Sequence, residues 1–195
     1  MVLHAARTAA VDAARAEWLL DRLPYARRLE LERRDAAARA ASLLALELLL
    51  EAATRLRGAG PDMSRLRFPA GHKPSFSGGP WFSVSHSRSR VAIAVSDRCD
   101  LGIDVEDRNG LADPAALDRW TAIEATLKAA GCGLRHSREV RLAGDLATGE
   151  VSGRVVHLRG IALAPDSVAR LATLLPVSAV RVEEWGPSLA CFANR

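Results

Sequence analysis

The sequence predicts an α+β fold of two similar halves, and three observations carry that expectation. Helix-forming residues precede strand-like runs, the same order recurs after residue 114, and turn-rich stretches separate the runs. With 195 residues, the chain suits one ordinary core or two small, tightly joined halves, expected at 1–109 and 110–195. The likeness is one of element order, with no residue-level repeat.

After Pro24, as far as about Leu56, Ala, Leu, Arg and Glu dominate, and Leu43, Leu46 and Leu50 recur at helical spacing, so one long helix is expected. A loop rich in Gly, Pro and Ser follows (GAGPDMS, then AGHKPSFSGGP), with a short strand, Leu66 to Phe68, between its parts. WFSVSH, RVAIAVS and LGIDVE then read as a small antiparallel meander. Asp107 to Pro114 (DRNGLADP) is turn-rich and joins the halves. Ala115 to Ala130 reads as a helix, and EVRLAG, RVVHLRGIAL and VSAVRVEEW read as strands leading to SLACFAN, with hairpin signals at DLATGEVSG and APDS.

Composition narrows the class of protein. At 49% hydrophobic and 26% charged, the chain is globular rather than disordered. Cys99, Cys132 and Cys191 are odd in number and lack CxxC spacing, which argues against a disulfide framework or a zinc site and for a reducing compartment. The N-terminus has no apolar secretory core, and the greasiest run, Leu43 to Leu50, contains Glu47 and is too short to span a bilayer. A cytoplasmic protein without membrane attachment is expected. The net charge of +4 leans toward a ligand carrying phosphates or carboxylates, although it equally suits an arginine-rich solvated surface. Nucleic acid is not an expected partner, because the arginines are spread along helices and aromatics are few. Lysine occurs only at Lys73 and Lys128.

Four short stretches carry chemistry. In LGIDVE, Asp104 and Glu106 share one strand face, and Mg²⁺ is commonly held by one or two carboxylates with water and phosphate oxygens. The same pair also suits a strand end with two solvated acids. In WTAIEATLKAAG, Trp120, Glu124 and Lys128 follow one another at four-residue steps, beside an apolar stripe of Trp120, Ile123 and Leu127. Alone, Glu124 and Lys128 equally make an ordinary surface ion pair. In FSVSHS, Ser85, His86 and Ser87 could meet a phosphate or merely satisfy a turn. In GHKP, Lys73 stands in a loop bounded by glycine and proline, where a lysine is usually solvated.

Together and in order, GHKP, VSHS, LGIDVE and W-x3-E-x3-K resemble the 4′-phosphopantetheinyl transferases of the surfactin type. The family pattern runs GKP, a strand ending SHS, G-[IV]-D-[IV]-E, then W-x2-KE-x3-K. The match covers roughly Leu66 to Gly131. The preceding helix fits in character, with a hydroxyl before paired leucines at Ser42 to Leu44.

The resemblance implies two halves related by a pseudo-twofold, each a helix packed on a small antiparallel sheet. It implies magnesium-dependent transfer of the phosphopantetheine arm of coenzyme A to a serine of an acyl or peptidyl carrier protein, and two halves in one chain make a monomer the simplest expectation. Asp104, Glu106 and Glu124 are then expected to hold Mg²⁺, Lys128 to contact the same phosphate, and Glu124 to act as base. Lys73, Ser85, His86 and Ser42 match coenzyme-binding positions. Two departures stand out: Ile123 replaces the family lysine, and the stretch from Glu106 to Trp120 is short. They keep open a regulator that binds coenzyme A or a carrier protein without turnover, and the carboxylates and lysine equally suit a metal-dependent phosphohydrolase.

Overall fold

A computed structural model describes residues 1–9, 11–108 and 113–184. The fold is mixed α and β. Strand β1 (Val2–Arg7) leads into helices α1 (Ala13–Leu20), α2 (Tyr25–Glu32) and α3 (Ala36–Arg57). A two-strand ribbon, β2 (Leu66–Arg67) with β3 (Ser75–Phe76), precedes β4 (Trp81–His86), β5 (Arg90–Ser96) and β6 (Leu101–Asp107). Helix α4 (Pro114–Ala130) follows, then β7 (Arg141–Leu142), β8 (Thr148–Val151), β9 (Arg154–Gly160), β10 (Ser167–Thr173) and β11 (Arg181–Glu184).

The strands form two main sheets, ordered β11-β1-β5-β4 and β6-β10-β9-β8-β7. Side-chain alternation stacks them. Val91, Ile93 and Val95 of β5 join Leu44, Leu48 and Leu49 of α3, while Ala92 and Ala94 turn the other way. There they meet Leu101, Ile103 and Val105 of β6 and Ala169 and Leu171 of β10. Ala122, Ala125 and Ala129 of α4 close the far side against Val156, Leu158 and Ala172. Helix, sheet, sheet and helix thus lie in four layers. Each leucine buried in this stack contributes about 1.5–3 kcal/mol.

Several expectations need correction. The long helix after Pro24 is two helices, because the Asp35 carboxylate accepts from the Ala38 N–H at 2.8 Å and so starts α3 afresh. The meander stops after two strands: β6 pairs with β10 in the second sheet, and no ladder joins it to β5. Its N–H groups at Ile103 and Val105 instead donate to the Ser83 and Ser85 hydroxyls of β4, at 3.1 and 3.2 Å. The first sheet is not wholly antiparallel, since β1 runs parallel to β11. Strands β1 and β10 are unanticipated because VLHAAR and SVARLAT are rich in Ala, Leu and Arg, which favour helix, and poor in the β-branched residues that mark the equally buried β5. The expected SLACFAN segment and the centre of DRNGLADP lie outside the described residues.

Helix α4 matches its expected span. The Asp113 carboxylate accepts from the N–H groups of Ala115 and Ala116, Pro114 occupies the first turn, and Gly131 ends the helix at φ +71°. Its seat on β6 depends on Gly102: a Cβ there would lie 2.1 Å from the Ala125 carbonyl and 2.5 Å from the Ala129 nitrogen. Among the described residues, no helix is long and apolar enough to cross a membrane.

Candidate metal centre

Because Gly102 lets α4 lie directly on β6, the next residues on the same strand face, Asp104 and Glu106, come up beside the helix. One oxygen each from Asp104, Glu106 and Glu124 lies within 4.8 Å of the others. Lys128, one turn beyond Glu124, donates to Asp104 Oδ1 at 2.5 Å and lies 3.6 Å from Glu124 Oε2. It also donates to Ser85 Oγ at 3.1 Å. The structure therefore gathers the acids of LGIDVE, the Glu–Lys pair of α4 and the serine of VSHS in one place.

Three carboxylates face one ammonium, and the electrostatics reflect the imbalance. Burial pushes the Glu106 carboxyl above its ordinary value, and the charges of Asp104 and Glu124 push it further. Burial, then Asp104, likewise raises Glu124, against Lys128 and a side-chain hydrogen bond from Trp120. Asp104 is 2% exposed, and its Oδ2 is buried with no hydrogen-bond partner. An all-oxygen donor set around a bare, buried carboxylate oxygen fits a hard divalent cation such as Mg²⁺.

The strand alternation of β4 separates the two residues expected to act together at VSHS. Ser85 points toward the second sheet and the carboxylates, whereas His86 sits with Phe82 and Val84 on the α3 side. There it lines a cavity of about 210 Å³, floored by Leu31, Leu49 and Phe82 and edged by Arg27, Arg34 and Ser42. The protein packed behind His86, together with the Lys128 and Arg34 charges, holds its imidazole below the ordinary value. His86 thus stands within electrostatic reach of both cavity and cluster. Ser42 donates to the Ala38 carbonyl at 2.8 Å and accepts from Arg34 at 3.2 Å.

Lys73 is not brought to the cluster. Its ammonium pairs with Asp100 and donates to the Leu101 carbonyl at 2.8 Å, in a separate groove with Arg57 and Trp81. Burial, more than its acid partner, governs this lysine and draws its pKa down. Ser87 serves the turn, donating to Asp107 at 2.7 Å and accepting from the Arg90 N–H at 3.2 Å. Trp120 departs from the expected apolar stripe: it is 39% exposed and reaches Glu124, while Ile123 packs beside Leu127, Val140 and Val151. Arg27 and Arg34 were not singled out in the sequence, where they read as part of a solvated Arg–Glu helix. Their position at the cavity mouth comes from the break before α3.

No protein-family model matches the chain, and a search among curated proteins also finds no match.

Proposed function

We propose that the protein is a phosphopantetheinyl transferase of the surfactin type. It moves the 4′-phosphopantetheine arm of coenzyme A to a serine of an acyl or peptidyl carrier protein, releasing adenosine 3′,5′-bisphosphate. The observation that carries this reading is the convergence of Asp104, Glu106, Glu124 and Lys128 from two separate motifs on one site. The helix-on-sheet arrangement, met once at α3 and once at α4, suits the pseudo-twofold fold that the resemblance implies.

Asp104, Glu106 and Glu124 hold Mg²⁺ in this reading, and the bound ion supplies charge neutralisation on the pyrophosphate oxygens. Glu124, whose carboxyl burial raises above its ordinary value, takes the proton of the attacking serine hydroxyl. A serine O–P bond forms as the P–O bond to the adenosine bisphosphate breaks. Lys128, whose ammonium lies beside Asp104 and Glu124, stabilises the charge that collects on the departing oxygen. Arg34 and His86 offer donors for the nucleotide end of the coenzyme along the cavity rim, beside Ser42, whose one proton goes to the Ala38 carbonyl.

Apo carrier protein incubated with coenzyme A, Mg²⁺ and the protein should gain one phosphopantetheine in mass. Glu124→Gln should slow that gain by about 10²–10⁴-fold. Unmodified carriers across the fatty-acid, polyketide and peptide classes would refute the reading. A second reading, a regulator that binds coenzyme A without turnover, draws on Ile123, which packs into an apolar cluster and leaves Lys128 as the one ammonium among the acids described here. Tight coenzyme A binding with no carrier modification, reversed by Ile123→Lys, would favour it.

A further inference from the structure

The hydroxyl of Ser85 is 5% exposed as part of its residue and has its full bonding capacity in use. It receives the Val105 N–H at 3.2 Å and the Lys128 ammonium at 3.1 Å, and these two donors occupy its lone pairs. Its single proton is left for Asp104 Oδ1, 2.7 Å away. The direction of that bond is therefore forced. Oδ1 in turn accepts from Ser85 on β4 and from Lys128 on α4, two anchors in different elements, while Oδ2 has no partner and is buried.

We infer that Ser85 is a positioning residue for a divalent cation: by holding Oδ1, it fixes the Asp104 carboxylate so that Oδ2 is the oxygen presented to the ion. The inference rests on reading the acidic cluster as a metal centre, and it departs from the coenzyme contact that the resemblance implies for this serine. A phosphate oxygen needs a donor, and the one proton of Ser85 is committed to Asp104. His86, on the opposite strand face, is free of that constraint and lines the cavity.

Ser83 supplies an internal control. It accepts the Ile103 N–H at 3.1 Å, the same kind of bond between sheets, without touching a carboxylate. The full chain, free of coenzyme A, is titrated with Mn²⁺, and the free-ion electron paramagnetic resonance signal is followed. Ser85→Ala should weaken Mn²⁺ binding by about 10-fold or more, as loss of an outer hydrogen bond to a metal ligand commonly does. Ser85→Cys, which keeps the volume but donates poorly, should also weaken it and carries the test if the alanine variant does not fold. Ser83→Ala should bind like the unsubstituted chain. Equal losses in Ser83→Ala and Ser85→Ala would reduce Ser85 to a structural role and overturn the inference. So would unchanged affinity in both Ser85 variants, or failure of the unsubstituted chain to bind Mn²⁺. Coenzyme A binding without metal should be insensitive to Ser85→Cys; a loss there would return Ser85 to the coenzyme. Because the titration contains neither coenzyme nor carrier, its outcome is separable from that of the transfer assay.

Discussion

His4 is 1% exposed beneath α3, with Glu183 Oε2 3.2 Å from its Nε2 but outside hydrogen-bond geometry. Burial lowers its pKa from 6.5 and outweighs the opposing pull of Glu183 and Glu51. Below about pH 6.5 the unfolded chain therefore binds a proton that the folded chain refuses, so stability falls as pH drops through the folded value. His4→Gln should shrink the loss of urea stability between pH 7.5 and 5.5. Residues whose roles depend on such distant partners were the least legible in the sequence. Lys73 was singled out for its rarity, but nothing local announces that Asp100, 27 positions on, will take its charge. Asp104 with Glu106, and Glu124 with Lys128, are readable because each pair stands at a spacing that strand or helix geometry turns into a shared face, whereas Ser85 shows in the sequence only as a hydroxyl at a strand end.

Among the elements, α4 and β6 carry the site, and Gly102 sets how closely they approach. Gly102→Ala drives a methyl group into helix backbone that cannot give way, and should cost about 3 kcal/mol in denaturant unfolding while weakening metal binding. Asp35→Ala removes the cap of α3 and should cost about 1 kcal/mol, with Arg34 and the cavity mouth disturbed before the carboxylates are. The two helices differed in legibility for a physical reason. Helix α4 is bounded by Asp113–Pro114 and Gly131, strong stop and start signals, whereas the break before α3 rests on one capping aspartate within an Arg- and Ala-rich run. Strand β5, buried on both faces, is legible through Val91, Ile93 and Val95, whereas β1 and β10 spend most positions on Ala, Leu and Arg and stay silent, although β10 is the hydrogen-bonded partner of β6.

For the whole molecule, the chain crosses between sheets: β6 follows β5 yet joins the second sheet, and β11 returns to the first beside β1. The candidate centre lies where these layers meet, drawing Ser85 from one sheet, Asp104 and Glu106 from the other, and Glu124 and Lys128 from α4. A cation bound there recognises only the assembled fold, so Mg²⁺ at 100 times its dissociation constant should add about 2.7 kcal/mol to unfolding stability. Thermal melts with and without Mg²⁺, compared with Asp104→Asn, check this; an equal shift in both would place the ion elsewhere. The seam between β4 and β6 has one more consequence. A backbone ladder is the same whatever the residues, but the polar links of this joint are the hydroxyls of Ser83 and Ser85, laid beside the apolar contacts of Ala92 and Ala94 with β6. The two sheets are therefore joined through side chains, and the sequence can tune that joint without disturbing the ladders that hold each sheet together.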